Sequence, residues 1–251
     1  RAAPGRVYQS DLVPLSLRCM KDVQLKDLTD RSVRINHSVM NQIIEPRKDT
    51  QSDALERILA AAELEFAERG FDGAGMKALA ARANVSQSLL HYHFGSKDKL
   101  YSAVIQSRSS MINSARLSLL GAVNMSADTA LGEVFRAMFA PALGPSGGGR
   151  AYARIFAGLI AGHERDQALV RANYDETAKA FIAALQECLP GITVLQAAEI
   201  YQCALGVMAT ALSRDGRAQR LAERDETSHQ EEQIETLIKF AVGGAKAIQM
   251  T

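Results

Sequence analysis

Residues 70–100 read GFDGAGMKALAARANVSQSLLHYHFGSKDKL, the pattern of two short helices joined by a tight turn with a third helix entered at Ser96. Met76 to Ala83 predicts a short helix, with Leu79, Ala80 and Ala83 on one side at helical spacing. Asn84 follows at a turn, a residue type that tolerates left-handed backbone at modest cost. Ser86 is placed to cap a second helix, Gln87 to Phe94, in which Leu90 and Phe94 face inward with Val85. The other positions, Gln87, Ser88, His91, Tyr92 and His93, form a polar and aromatic surface. Such a surface has a reason to touch something other than its own core. Ser96 then caps a third, long helix, with Asp98 near its positive end.

The order Phe71, Ala80, Val85-Ser86, Leu90, Tyr92-His93-Phe94, Ser96-Lys97 and Leu100 resembles the helix-turn-helix of the TetR family of bacterial transcription regulators. The resemblance covers roughly residues 53–105. A helix pair alone is a weak signal, because such pairs are common, whereas one ending in HYHFGSKDKL is specific. The resemblance implies that Gln87 to His93, with Leu89 among them, enter the major groove or line its walls. It implies phosphate contacts from the start of the first motif helix (Gly75, Met76, Lys77) and from His91, Tyr92 and Lys97, and it places Ser86 among the DNA-binding residues. The chemistry is compatible: helix N-termini and Lys bind phosphate, and Gln reads adenine or acts through water. Family members usually carry Thr or Ser where this chain has Ala74-Gly75, Gly where it has Asn84, and Thr and Tyr at Leu89 and His91. These departures remove one cap and alter the base-reading surface.

Upstream, Asp53 to Arg69 predicts an amphipathic helix with Leu55, Ile58, Leu59, Ala62 and Phe66 on one stripe, ended by Gly70. Residues 1–52 are expected to be a poorly ordered extension, interrupted by Pro4, Pro14 and Pro46. Two origins remain open: a native start at Met40 with 1–39 as upstream translation, or a genuine flexible extension. Arg47 and Lys48 would let such an arm reach a minor groove.

Downstream, the helix from Ser96 carries Leu100, Val104, Met111 and Leu117 towards Leu120 and connects the reading head (53–100) to the rest (101–251). Ala127 to Ala140 predicts a helix stopped by Pro141. The loop GPSGGGR (144–150) lacks the GK[ST] ending and the preceding strand of a phosphate loop. Helices follow at about 150–162, 166–188, 193–214 and 228–249, with no strand pattern and no internal repeat. The fold class is therefore all-α.

Two faces invite partners. Ile234, Leu237, Ile238, Ala241, Val242, Ala245 and Ile248 form one apolar face; Ala197, Ile200, Ala204, Val207, Met208 and Ala211 form another. Paired across a two-fold axis they would make a four-helix dimer interface, with intramolecular core as the plain alternative. The resemblance favours the dimer, because a two-fold protein matches a palindromic site. Met138, Phe139, Phe156, Tyr174, Phe181 and Tyr201 offer apolar walls for an effector pocket, with Arg154 and Arg171 as anion anchors. The stretch Tyr174 to Leu212 is loosely similar to C-terminal domains of regulators that respond to fatty-acyl or other hydrophobic ligands.

Enzyme chemistry and cofactors find no support. Glu226 and His229 have the E-x-x-H spacing of di-iron bundles, which need two such motifs plus further Glu, and no nucleophile elbow is present. His163, beside Glu164 to Asp166, reads as a solvated helix end. Lys+Arg 29 against Asp+Glu 28 leaves nucleic-acid binding to a local patch. Cys19, Cys188 and Cys203 show no metal-ligand spacing and suit a reducing cytoplasm; no run predicts a membrane span. The expected protein is a cytoplasmic homodimer that binds double-stranded operator DNA, most simply as a repressor released by a small hydrophobic or aromatic effector. The rival is a helical dimeric interaction protein that has lost specific DNA binding.

Overall fold

The computed structural model describes residues 51–144, 147–162, 164–213, 216–223 and 230–250. Met40, Arg47, Lys48, Cys19, His163 and the Glu226/His229 pair lie outside them. The described residues contain helices and no strand. In chain order these are α1 Gln51–Gly73, α2 Met76–Arg82, α3 Gln87–Phe94, α4 Lys97–Gly121, α5 Ala130–Leu143, α6 Gly149–Ala161, α7 Glu164–Cys188, α8 Val194–Ser213, the short α9 Arg217–Leu221, and α10 Gln230–Gln249. The all-α expectation holds; α9 was not anticipated.

Each cap of the central stretch has a local cause. Gly70 breaks α1 with φ 68° and ψ 176°, a conformation closed to most side chains, and one further turn follows it. Asn84 takes φ 53°, while the Val85 amide reaches back to the Ala80 carbonyl, closing the left-handed stop between α2 and α3. The Ser86 hydroxyl accepts from the Leu89 amide at 3.1 Å, and Ser96 accepts from Lys99 at 3.3 Å. Gly75, at the start of α2, supplies no side-chain cap.

α1 packs against α2, α4 and α6, while α4 runs on against α5 and α7. The described residues fall in one compact unit, and α4 crosses the expected boundary at 100/101 without a break. The inward face of α4 differs from its expected stripe. Leu100 and Val104 are buried, but Met111 and Leu117 are half exposed, and Ile112, Asn113 and Arg116 point inward instead. The buried face advances around the helix because the first half packs on α1 and the second on α5 and α7.

Pro141 does not stop α5, which continues to Leu143. A proline in the last turn removes one backbone bond near an end where bonds are already being lost. The faces expected to meet a partner chain are also corrected. Ile200, Ala204, Met208, Ile234, Leu237, Ile238, Ala241 and Ala245 are buried within the single chain, and Val207 and Ala211 are half buried. α10 lies on α5 and α8, so those apolar faces are already covered. The opposite faces are the open ones: Gln202, Cys203, Gly206 and Thr210 on α8, with Thr236, Phe240, Gly243 and Ala247 on α10.

Candidate nucleic-acid interface and effector cavity

Leu90 is fully buried and fixes α3 by one side, which leaves Gln87, Ser88, His91 and Tyr92 exposed on the other. Tyr92 is 79% exposed, an unusual position for a large aromatic without a partner. Its ring stands edge-on to His93 at 5.3 Å between centroids. Leu89 and His93 are half buried at the margins of this surface. His91 Nδ1 lies 3.0 Å from the Gly95 carbonyl. A carbonyl only accepts, so Nδ1 carries the hydrogen, and in the neutral ring Nε2 is an acceptor. Gly75, Lys77 and Ser86 are exposed beside this surface, and Met76 is half buried against the core.

Charge pairs clamp the reading head. Arg82 Nε lies 3.0 Å from Glu65, a residue 2% exposed, and Arg82 also grips Glu68 with both terminal nitrogens. That guanidinium holds the Glu68 carboxyl below its ordinary value. Arg69 approaches the other Glu65 oxygen at 2.9 Å as a charge contact. Further along, Arg108 of α4 donates to Glu63 of α1 at 2.7 and 3.1 Å.

Lys97 has a different task from the expected one. Its ammonium donates to the carbonyls of Phe71 (2.8 Å), Ala74 (3.1 Å) and Asp72 (3.4 Å), and stands 4.5 Å from the Phe71 ring centroid. These are the orphan carbonyls at the end of α1. All three ammonium hydrogens are engaged there, so a phosphate would have to compete with three acceptors. Phe71 also stacks with Phe66, meets Tyr101 edge-on, and has the Arg165 guanidinium 3.8 Å over its ring. Burial, with Asp166 nearby, pushes the Tyr101 hydroxyl up to about 12.

The expected pocket residues separate into groups. Phe156 and Tyr174 line a cavity of about 10 Å³, together with Ile112, Arg116, Ala142, Gly147, Tyr152, Met208 and Leu212. That space is close to what one water requires. Met138, Phe139, Phe181 and Tyr201 are buried core residues outside its lining. Arg154 and Arg171 are exposed, so neither is an anchor inside the domain. The buried arginine is Arg116, 2% exposed, whose Nε donates to the Met138 carbonyl at 2.9 Å and whose Nη2 lies 3.2 Å from Met208 Sδ. Burial lowers its pKa, and no carboxylate pairs with it among the described residues; Tyr152 and Tyr174, its neighbours in the cavity lining, carry neutral hydroxyls. Tyr152 and Tyr174 share a hydroxyl–hydroxyl bond, and burial raises both, Tyr174 to about 12. Arg116 was missed because a lone arginine reads as solvated. Its register with Ile105, Ser109 and Ile112 at spacings of four, three and four was the available signal. No cluster of potential metal ligands occurs among the described residues, nor any helix long and apolar enough to cross a membrane.

Residues 58–104 match the family described as bacterial regulatory proteins, tetR family, and residues 114–244 match the tetracyclin repressor-like C-terminal domain. A transcriptional activator of the helix-turn-helix type, FasR from Mycolicibacterium smegmatis, is 48% identical over 50 residues, which span 20% of this chain and 23% of that protein. Among solved structures, a TetR-like transcriptional regulator from Rhodococcus sp. RHA1 superposes with a TM-score of 0.57 at 21% identity, covering 78% of this chain and 97% of its own. The regulator PfmR from Thermus thermophilus gives 0.55 at 17%, covering 74% and 96%.

Proposed function

The chain belongs to the TetR family of bacterial transcription regulators, and on that premise we propose that it is a dimeric repressor released from operator DNA by a small apolar effector. The observation that carries the DNA-reading half is the exposed face of α3, with Tyr92 79% exposed on an eight-residue helix anchored by Leu90. Gln87, Ser88, Leu89 and His91 meet base edges in this reading, with His91 Nε2 accepting from a base amino group. Tyr92, Ser86, Gly75, Met76 and Lys77 meet the backbone, and His93 supports Tyr92. Lys97 holds α1 against α4 and contributes to binding through that geometry.

The dimer forms through the outer faces of α8 and α10, with Phe240, 68% exposed, as the central anchor and Gly206, Gly243 and Ala247 permitting close helix approach. α4 carries Leu100 under the reading head at one end and Arg116 at the cavity near the other. An effector that binds the two helix arrangements with different affinity shifts the population towards the one whose recognition helices no longer match successive major grooves.

Selection of genomic fragments by the purified protein, repeated across salt concentrations, tests this reading. We expect a palindromic site whose affinity falls linearly with log salt, and a Lys77→Met variant whose slope is shallower by about one. Tyr92→Ala should weaken operator binding with an unchanged melting temperature. Weak, sequence-indifferent binding would refute the regulator reading in favour of a helical interaction protein, which the uncapped Gly75 start and the Leu89 and His91 departures would then explain.

A further inference from the structure

A ligand site at Arg116 rests on the effector reading above and deepens it. A guanidinium carries five N–H donors. Here one has a full-strength acceptor, the Met138 carbonyl, and a second points at a thioether, a weak one. No carboxylate pairs with Arg116 among the described residues, although it is 2% exposed and lines the cavity. A second observation concerns the opposite wall. The Tyr152 and Tyr174 hydroxyls bond to each other, which consumes one hydroxyl hydrogen and leaves the other without an acceptor among the described residues. Both tyrosines also line the cavity, so cavity donors outnumber cavity acceptors.

We propose that this cavity binds an organic monocarboxylate with an apolar body, its carboxylate forming a bidentate pair with Arg116 after displacing the Met208 thioether, and accepting the spare tyrosine hydrogen. The planar fork of a guanidinium matches a carboxylate edge, and the pair is stronger where water is excluded. One positive charge balances a monoanion; a phosphate dianion would leave a buried negative charge uncompensated. The remaining lining, Ile112, Ala142, Phe156, Met208 and Leu212, is apolar and suits a hydrocarbon or aromatic body. The cavity of about 10 Å³ is too small for such a body as it stands. Met208 is the side chain able to yield: it is buried, but it has three rotatable bonds to repack with and its polar tie to Arg116 is a weak sulfur contact.

The test uses the full chain and a panel of probes: straight-chain carboxylates from acetate to decanoate, benzoate and phenylacetate, each beside its matched amide and alcohol. Calorimetry and thermal shift supply the readouts. At least one carboxylate should bind about tenfold or more tighter than its amide, and should raise the melting temperature. Arg116→Met, which removes an unpaired buried charge, should melt no lower than the parent and lose the preference. Arg116→Lys keeps the charge without the fork and should show a reduced preference, which covers the case in which the Met variant fails to fold. Equal binding of acids and amides, no binding by any acid, or a preference that survives Arg116→Met would overturn the proposal. The parent reading fails separately. A carboxylate that binds through Arg116 without altering operator affinity supports the site and refutes the effector mechanism; operator binding without acid preference refutes the site and leaves the DNA-reading half of the function standing.

Discussion

Replacing Lys97 with methionine separates a structural lysine from a phosphate ligand, and the structure sets the size of the effect. The ammonium makes two well-formed bonds, at 2.8 and 3.1 Å, to carbonyls at the end of α1, and a longer one at 3.4 Å. Bonds from a charged donor contribute about 1.5 kcal/mol each at the low end, so the two good ones supply about 3 kcal/mol. The contact with the Phe71 ring adds about 0.5 kcal/mol. Ordering the lysine side chain costs about 1.5 kcal/mol. Removing a cation from the first turn of α4 returns a few tenths, about 0.3 kcal/mol, because that end of the dipole is positive. Methionine preserves the apolar stem, so the net loss is about 2 kcal/mol. For a unit of this size that corresponds to a fall of roughly 4–8 °C in melting temperature. Differential scanning calorimetry checks it, alongside operator affinity measured well below the transition. The salt slope of binding should stay unchanged. A melting temperature equal to the parent's, together with a slope reduced by about one, would refute the structural role and make Lys97 a phosphate contact.

Three further outcomes follow from single features. Gly70→Ala should lower stability by about 1–3 kcal/mol through backbone strain alone, because nothing lies within 4 Å of the added carbon at φ +68°; a melting temperature equal to the parent's would contradict this. Ser86→Ala removes the cap on α3 and should cost about 1 kcal/mol in chemical denaturation, with operator affinity falling as the reading helix frays. Phe240→Glu should convert a dimer into a folded monomer by sedimentation velocity with unchanged far-ultraviolet circular dichroism; a persisting dimer would place the interface elsewhere.

The elements legible in the sequence were those whose cause is local. Asn84 between α2 and α3, Ser86 and Ser96 as caps, and Gly70 as a break each act within a few residues, so type and spacing sufficed to place them. Composition and helical period likewise pointed to the all-α class. What the sequence could not supply was the identity of a neighbour. The periodicity of Ile234 to Ala245 states that one face of α10 is buried, but intramolecular and intermolecular burial have the same period. The face of α10 expected to bind a partner is covered by α5 and α8, and that of α8 by α6, α7 and α10. Lys97 shows the same limit from the polar side: its three carbonyl partners lie 23–26 residues upstream, a closure that only the folded chain displays.

An effector must supply a definite amount of coupling. Releasing an operator a hundredfold requires about 2.7 kcal/mol between the two sites. Contacts equal in both conformers contribute nothing to that figure, however tight the binding. A cavity that is already closed offers a differential of the right kind, since the ligand fits only after Met208 has moved. Met208 faces inward on α8, while Gly206 and Thr210, two residues to either side, face outward where the partner helix is proposed to pack. Displacing Met208 therefore bears on the helix that sets the dimer angle, and pairing with Arg116 bears on the helix that carries the reading head. One carboxylate–guanidinium pair with charge-assisted bonds contributes about 1.5–3 kcal/mol per bond. If it forms in the released conformer and is blocked by Met208 in the operator-bound one, a single such pair supplies the whole of the required coupling.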